Sequence, residues 1–196
     1  MILIMIYNFF GETKGKTSTA LGTVMRALGG EKRVRIIFFM KHWTTGETEF
    51  LKKLNNVSFD VEFFQSGDKD FIWVDGVNGE TLKEAQDELE WGKIVEADIS
   101  DTEQAKRGMY KAWEYLEEKP FLLVLDELNY AVSFGLIEIE KAKELLRAAK
   151  LQGTHVVITG KALHPELAEM SDLITEMKKH KHPFDEGIHA IKGLDY

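Results

Sequence analysis

The octapeptide Gly11-Glu12-Thr13-Lys14-Gly15-Lys16-Thr17-Ser18 lies between an apolar run, Ile2 to Tyr7, and a helix-period segment, Lys16 to Leu28, that closes at Gly29-Gly30. A strand, a glycine turn and a helix opened by Lys-Thr form the context in which a phosphate-binding P-loop works. Glycines let backbone amides turn inward towards phosphate oxygens. The helix N-terminus adds unsatisfied N–H groups and its positive dipole end, Lys16 adds a point charge, and the Thr17 hydroxyl can ligate Mg²⁺. The standard pattern G-x-x-x-x-G-K-[ST] would put its first glycine at Phe10, whereas the nearest glycine is Gly11, so this loop is one residue tighter. The alternative is a glycine turn capping an ordinary helix.

Working outward, Val34 to Met40, Phe121 to Leu125 and His155 to Ile158 are apolar runs of strand length, and Val61 to Phe64 and Leu173 to Met177 add shorter ones. Helix-period segments lie between them at Asp101 to Glu118 and Glu138 to Leu151. Strands alternating with helices predict an α/β fold, a mostly parallel sheet with helices on both faces. The run ending in Asp126-Glu127 resembles a Walker B strand, since Mg²⁺ prefers one or two carboxylates besides phosphate oxygens and water. A buried strand ending in Asp-Glu is also common without any metal. Lys41 and Lys161 stand at two further strand ends as phosphate contacts or solvated lysines, and Arg26 either turns back to the nucleotide or is exposed. Ser66 to Gly79 has neither periodicity and reads as a functional loop or lid, followed by an acidic surface helix over Glu80 to Ala97.

At 196 residues, 44% of them apolar, the chain has the length of one domain spanning 1–196. No run approaches the length that crosses a bilayer, and Met1 to Tyr7 reads as a first strand rather than a signal peptide, so no membrane is expected. The absence of cysteine fits a reducing cytoplasm. A net charge of −8 argues against nucleic acid; the one dense basic run, Lys178-Lys179-His180-Lys181, reads as a solvated face. An anionic ligand must then be held by local donors, those of the glycine loop.

Nearly end to end, these residues resemble the P-loop ATP:corrinoid adenosyltransferases, also called cob(I)alamin adenosyltransferases. The likeness includes the shortened loop, where the family typically reads G-N-G-K-G-K-T-T, then Ala20-Leu21-Gly22, Arg26-Ala27, Phe39-Met40-Lys41, Val124 to Tyr130 and Ile158-Thr159-Gly160. Its most diagnostic part is the ending, Lys181-His182-Pro183-Phe184-Asp185-Glu186-Gly187 and Gly193-Leu194-Asp195-Tyr196. Departures are Thr13 for a glycine, Glu12 for an asparagine and Lys161 for an arginine, which loses the bidentate fork. The 75–100 region is long for the family. The N-terminal extension of some members has no counterpart, implying a different closure over adenosine.

The resemblance implies a RecA-like P-loop NTPase architecture and attack of a cob(I)alamin cobalt on the 5′ carbon of ATP, with triphosphate leaving. It implies nucleotide contacts from Gly11, Glu12, Thr13, Lys14, Gly15, Lys16, Thr17, Ser18, Arg26, Lys41 and Lys161, and Mg²⁺ or Mn²⁺ on Thr17, Asp126 and Glu127. Lys16 would act in catalysis with Phe71 and Trp73, which match an F-x-W element that wedges beneath the corrin ring; by themselves the two aromatics read as a satellite cluster. A corrinoid substrate, an electron-donating flavoprotein and a homodimer are implied as partners. Two other functions fit the residues: a RecA-like ATPase or kinase in which Glu127 orients the nucleophile, and a non-catalytic ATP-binding regulator.

Overall fold

The computed structural model describes residues 3–68, 71–73 and 94–194. Its main sheet has six strands: β1 (Ile6–Phe10), β2 (Val34–Phe39), β3 (Val61–Ser66), β6 (Leu122–Asp126), β7 (His155–Gly160) and β8 (Leu173–Glu176). Their order is β3-β2-β6-β7-β1-β8, and every pair is parallel. Two short strands, β4 (Phe71–Trp73) and β5 (Ile94–Glu96), form a separate parallel pair.

The continuous apolar runs arise because strands covered on both faces need no polar side. Along β2 and β6, alternate residues enter different cores. Ile37, Phe39, Leu123 and Leu125 pack with helices α3 (Ile99–Glu117), α4 (Leu128–Ser133) and α5 (Ile139–Gln152). Val34, Ile36, Phe38, Leu122 and Val124 pack on the other face with α1 (Lys16–Gly29) and Leu51 of α2 (Gly46–Asn55). Helices therefore cover both faces, as the alternation predicts. A short α6 (Pro165–Met170) precedes β8, and beyond it the tail contains one 3₁₀ turn, Pro183–Glu186.

Several boundaries differ from the sequence expectation for physical reasons. The first strand is Ile6–Phe10 rather than Ile2 to Tyr7. It runs through Asn8 because that fully buried amide is satisfied, accepting from Asn129 Nδ2 at 2.7 Å and donating to Ser171 Oγ at 3.3 Å. The segment expected to be a loop from Ser66 to Gly79 contains β4, and Ile94–Glu96, within the stretch expected to be helical from Glu80 to Ala97, is β5. Positions 69–70 and 74–93 of those two stretches lie outside the described residues. Helix α2 was not anticipated; it carries a Thr45 and Thr48 capping pair, acids in its first turn and Lys52 and Lys53 in its last.

Candidate active site

Phe10, where a standard loop would have its first glycine, is the last residue of β1, paired with Gly160 on one side and Glu176 on the other. The chain turns one residue later. Gly11 has φ +132°, and its N–H points at the carbonyls of Gly160 and Lys161 at 3.3 and 3.2 Å. Gly15, at φ +113°, makes the second turn, and its carbonyl accepts the first helical bond from Thr19 at 2.8 Å. Helix α1 thus begins directly under the loop with no acidic residue in its first turn, leaving its positive end uncompensated. Lys16 folds back over the loop, donating from Nζ to the carbonyls of Gly11 at 2.7 Å and Thr13 at 2.8 Å.

The strand β6, which ends in the two acids, is not β1's neighbour; β7 is inserted between them. Thr159 at the end of β7 bridges the gap. Its hydroxyl donates to Asp126 Oδ1 at 2.7 Å and accepts the Glu127 N–H at 2.8 Å. Thr17 reaches the same Asp126 carboxylate at 3.1 and 3.2 Å, so the loop's helix and the two acids form one connected group. Burial pushes the Asp126 carboxyl above its ordinary range despite both hydroxyls.

Glu127 follows with φ +63°, an uncommon conformation for a side chain of its size. The residue borders the cavity, yet its Oε2 is sealed and has no partner among the described residues. Burial, with the Asp126 charge beside it, raises its carboxyl to about 7, against the pull of Lys16 and Lys41. A hydroxyl, a buried carboxylate and an orphaned carboxylate oxygen are hard donors of the type Mg²⁺ takes, so the set fits such an ion. Among the described residues no cluster of three or more His, Cys, Asp and Glu forms an all-protein metal cage. The fit is to an ion that shares its shell with phosphate and water.

A pH dependence follows for the metal-free protein. Glu127 keeps its proton up to about pH 7 when folded and only to its ordinary 4.5 when unfolded. The stability it contributes is present below pH 4.5 and lost as pH rises through about 7. Glu127→Gln is expected to flatten the fall in melting temperature between about pH 5 and pH 8. Melts in chelator check this; slopes equal to those of the unaltered protein contradict it.

A cavity of about 890 Å³ extends from the loop. Residues Glu12 to Ser18 form its base, Leu21, Gly22 and Met25 one side along α1, and Lys41 with Thr45 to Glu47 the other. Lys179, His182, Asp185, Gly193 and Leu194 bring the tail over it. Lys41 does not stand free. Its Nζ pairs with Glu47 at 2.5 Å and lies 4.8 Å from the Phe38 ring centre. Burial alone would raise the Glu47 carboxyl, but the Lys41 hydrogen bond prevails and holds it below the ordinary value.

Gly11, Glu12, Thr13, Lys14, Gly15, Lys16, Thr17, Ser18, Lys41, Asp126 and Glu127 are therefore brought together. Lys161 adjoins the loop through its carbonyl. Arg26 does not join them: it is exposed, roughly 15 Å along the helix axis from Lys16 at 1.5 Å per residue, in a separate hollow with Tyr7, Phe121 and His155. Phe71 and Trp73 are the ends of β4. Sequence reasoning passed over Glu47, Thr159 and the tail's lining residues. The first was legible in the acidic start of α2, and Thr159 and the tail only through the family resemblance.

The model of the family ATP:corrinoid adenosyltransferase BtuR/CobO/CobP matches residues 2–196. The corrinoid adenosyltransferase of Escherichia coli (strain K12) is 32% identical over 194 residues, which are 98% of this chain and 85% of that protein. That of Pseudomonas aeruginosa is 33% identical over 189 residues, 95% of this chain and 80% of that protein. Among solved structures, the genome packaging NTPase B204 from Sulfolobus turreted icosahedral virus 2 is similar with a TM-score of 0.48 and 14% identity, over 92% of this chain and 77% of that one. With the family match running from residue 2 to residue 196, the chain belongs to the ATP:corrinoid adenosyltransferases.

Proposed function

We propose that, in the ATP-dependent adenosyl transfer to corrinoids this family performs, the loop Gly11 to Ser18 holds the triphosphate of ATP as a leaving group. The acceptor is the cobalt of cob(I)alamin or of cob(I)yrinic acid a,c-diamide. The chain acts as a single domain, in a homodimer, with a flavoprotein as electron source. The observation that carries the site assignment is the connected group of Lys16, Thr17, Asp126 and Glu127 at one end of one cavity.

The step is a displacement at carbon. The Co(I) electron pair forms the Co–C bond to the 5′ carbon, the C–O bond breaks, and its pair leaves with triphosphate as cobalt becomes Co(III). No protein nucleophile is required. The work left to the chain is alignment and stabilisation of the charge that grows on the departing oxygen. Loop amides and the start of α1 receive the phosphates, and Lys16 shifts from the Gly11 and Thr13 carbonyls to the phosphate oxygens. A Mg²⁺ or Mn²⁺ ion bound by Thr17, Asp126 and Glu127 would supply Lewis-acid neutralisation of the triphosphate. Thr159 keeps Asp126 aimed at Thr17 and Glu127 in its left-handed turn. Lys41, fixed by Glu47, presents a second cation across the cavity.

Phe71 and Trp73 take the corrin side. An apolar wedge that displaces the lower axial ligand removes electron donation to cobalt and eases reduction from Co(II). Trp73→Ala is expected to lower the ratio of the rate started from Co(II) to the rate started from chemically made Co(I) about tenfold or more relative to the unaltered protein. Anaerobic spectra of the corrin from both starting states check this. An unchanged ratio of the two rates rejects the wedge and leaves the phosphate assignments standing. Replacing MgATP by ATP in chelator tests the ion: turnover undiminished without a divalent cation contradicts its proposed role.

A further inference from the structure

A second cavity, about 490 Å³, opens beside the nucleotide cavity, and the two share Thr13, Lys14, Lys179 and His182. Its ionisable lining consists of Lys14, Lys178, Lys179, Lys181 and three histidines, His180, His182 and His189. The chain has 33 Asp and Glu residues and a net charge of −8, yet no described carboxylate lines this cleft. A one-sign cleft in an acidic protein focuses positive potential where the rest of the surface repels anions.

The nearby acids are each paired with a lysine, and one of them, Asp185, lines the nucleotide cavity instead. Glu176 stands 3.5 Å from Lys178, Asp185 2.9 Å from Lys179 and Glu186 2.8 Å from Lys181, and none of the three lines the cleft. The lysine side chains of these pairs are 68%, 51% and 76% exposed, so each pair is weak and exchangeable for a stronger anion. A ligand carrying several anionic oxygens can engage three or four of these ammonium groups at once with charge-assisted hydrogen bonds, which no single carboxylate does.

We propose that this cleft is a polyanion subsite, continuous with the glycine loop, that takes the inorganic triphosphate as it leaves. The inference rests on the adenosyl-transfer reading, since displacement at the 5′ carbon releases the triphosphate whole. Triphosphate retained on the loop blocks the next ATP. A cationic annex sharing Thr13 and Lys14 with the loop offers the product a route outward without passing the acidic remainder of the surface. The same clustered oxygens occur on corrinoids with free peripheral carboxylates, a second source of the same chemistry.

The test uses the full chain with Lys178→Gln/Lys181→Gln, and Lys178→Arg/Lys181→Arg as the charge-keeping control. Calorimetric titration with sodium triphosphate in chelator is expected to show a Kd raised at least about fivefold in the Gln variant and within about twofold in the Arg variant, since charge rather than shape is recognised. Product inhibition by triphosphate should weaken by the same factor. If instead only the KM for a carboxylate-bearing corrinoid rises, relative to a fully amidated one, the subsite stands with the corrinoid as its occupant. If neither quantity moves, the cleft is a solvated face and the proposal is overturned. Absence of adenosyl transfer in the unaltered protein sinks the activity reading alone, because the calorimetric result is independent of turnover.

Discussion

Lys16→Ala is expected to lower kcat/KM for ATP by about a thousandfold or more, with kcat itself falling, while the melting temperature stays within about 3 °C. The Lys16 ammonium is held by two neutral carbonyls, at 2.7 and 2.8 Å, and by no carboxylate among the described residues. Its full charge is therefore available to a phosphate, and little is lost from the fold when it is removed. As the C–O bond breaks, negative charge accumulates on the departing triphosphate, so the interaction is stronger in the transition state than with bound ATP. That difference places the loss in kcat as well as in KM. Steady-state kinetics with Co(I) corrinoid, beside thermal melts, check both halves; a loss of less than tenfold, or one confined to KM, contradicts the role given to this residue.

Gly11→Ala is the change expected to harm both stability and nucleotide binding. Its φ of +132° already disfavours any side chain. An added Cβ would also stand 2.3 Å from the Met177 carbonyl oxygen and 2.9 Å from the Met177 nitrogen. Both are backbone atoms, and that nitrogen is tied to the Phe10 carbonyl at 2.7 Å, so relief requires breaking the junction where β1 ends and the chain leaves β8. Backbone strain of this type costs roughly 1 to 3 kcal/mol before the collision is counted, which for a chain of this size lowers the melting temperature by about 5 to 10 °C. The loop amides shift with Gly11, and the affinity for ATP drops with them. Gly22→Ala is the internal control. Nothing lies within 4 Å of a Cβ there, and alanine is the better helix former, so its melting temperature should hold or rise. Equal melting temperatures for the two variants contradict this account of the loop.

Much of this was legible because a parallel sheet covered on both faces writes its strands as uninterrupted apolar runs. The runs Val34 to Met40 and Phe121 to Leu125 match the strands Val34–Phe39 and Leu122–Asp126 to within one residue at each end, and the acids at the end of the second fall beside the loop. Where polar residues are buried, the rule fails. Asn8 looked like the end of a strand, and only its bonds to Asn129 and Ser171 show why β1 continues to Phe10. Helix α2 escaped because it buries only Thr48 and Leu51, too narrow a stripe to register as a period. Its caps held the information instead.

The site divides along the same line. Lys16, Thr17 and Glu127 follow from motif and chain order, which the strand-loop-helix context makes meaningful. Thr159 enters the sequence reading only through the likeness at Ile158-Thr159-Gly160; its importance comes from β7 being inserted between β1 and β6, a fact of topology. Arg26 fails for the opposite reason. It is close to the loop in sequence, but a rigid helix carries it away from the phosphates and towards the other end of the strands. The shortened loop is the instructive case: its missing residue is Phe10, kept in register between Gly160 and Glu176 as the last rung of β1.

The central claim is that the triphosphate leaves whole. The most direct measurement is anaerobic incubation of the protein with MgATP and chemically reduced cobalamin, following the corrin spectrum while phosphorus resonance identifies the products. One inorganic triphosphate for each Co–C bond formed is the expected result. ADP and phosphate, with the cobalt left unalkylated, would contradict it and assign Glu127 to hydrolysis instead.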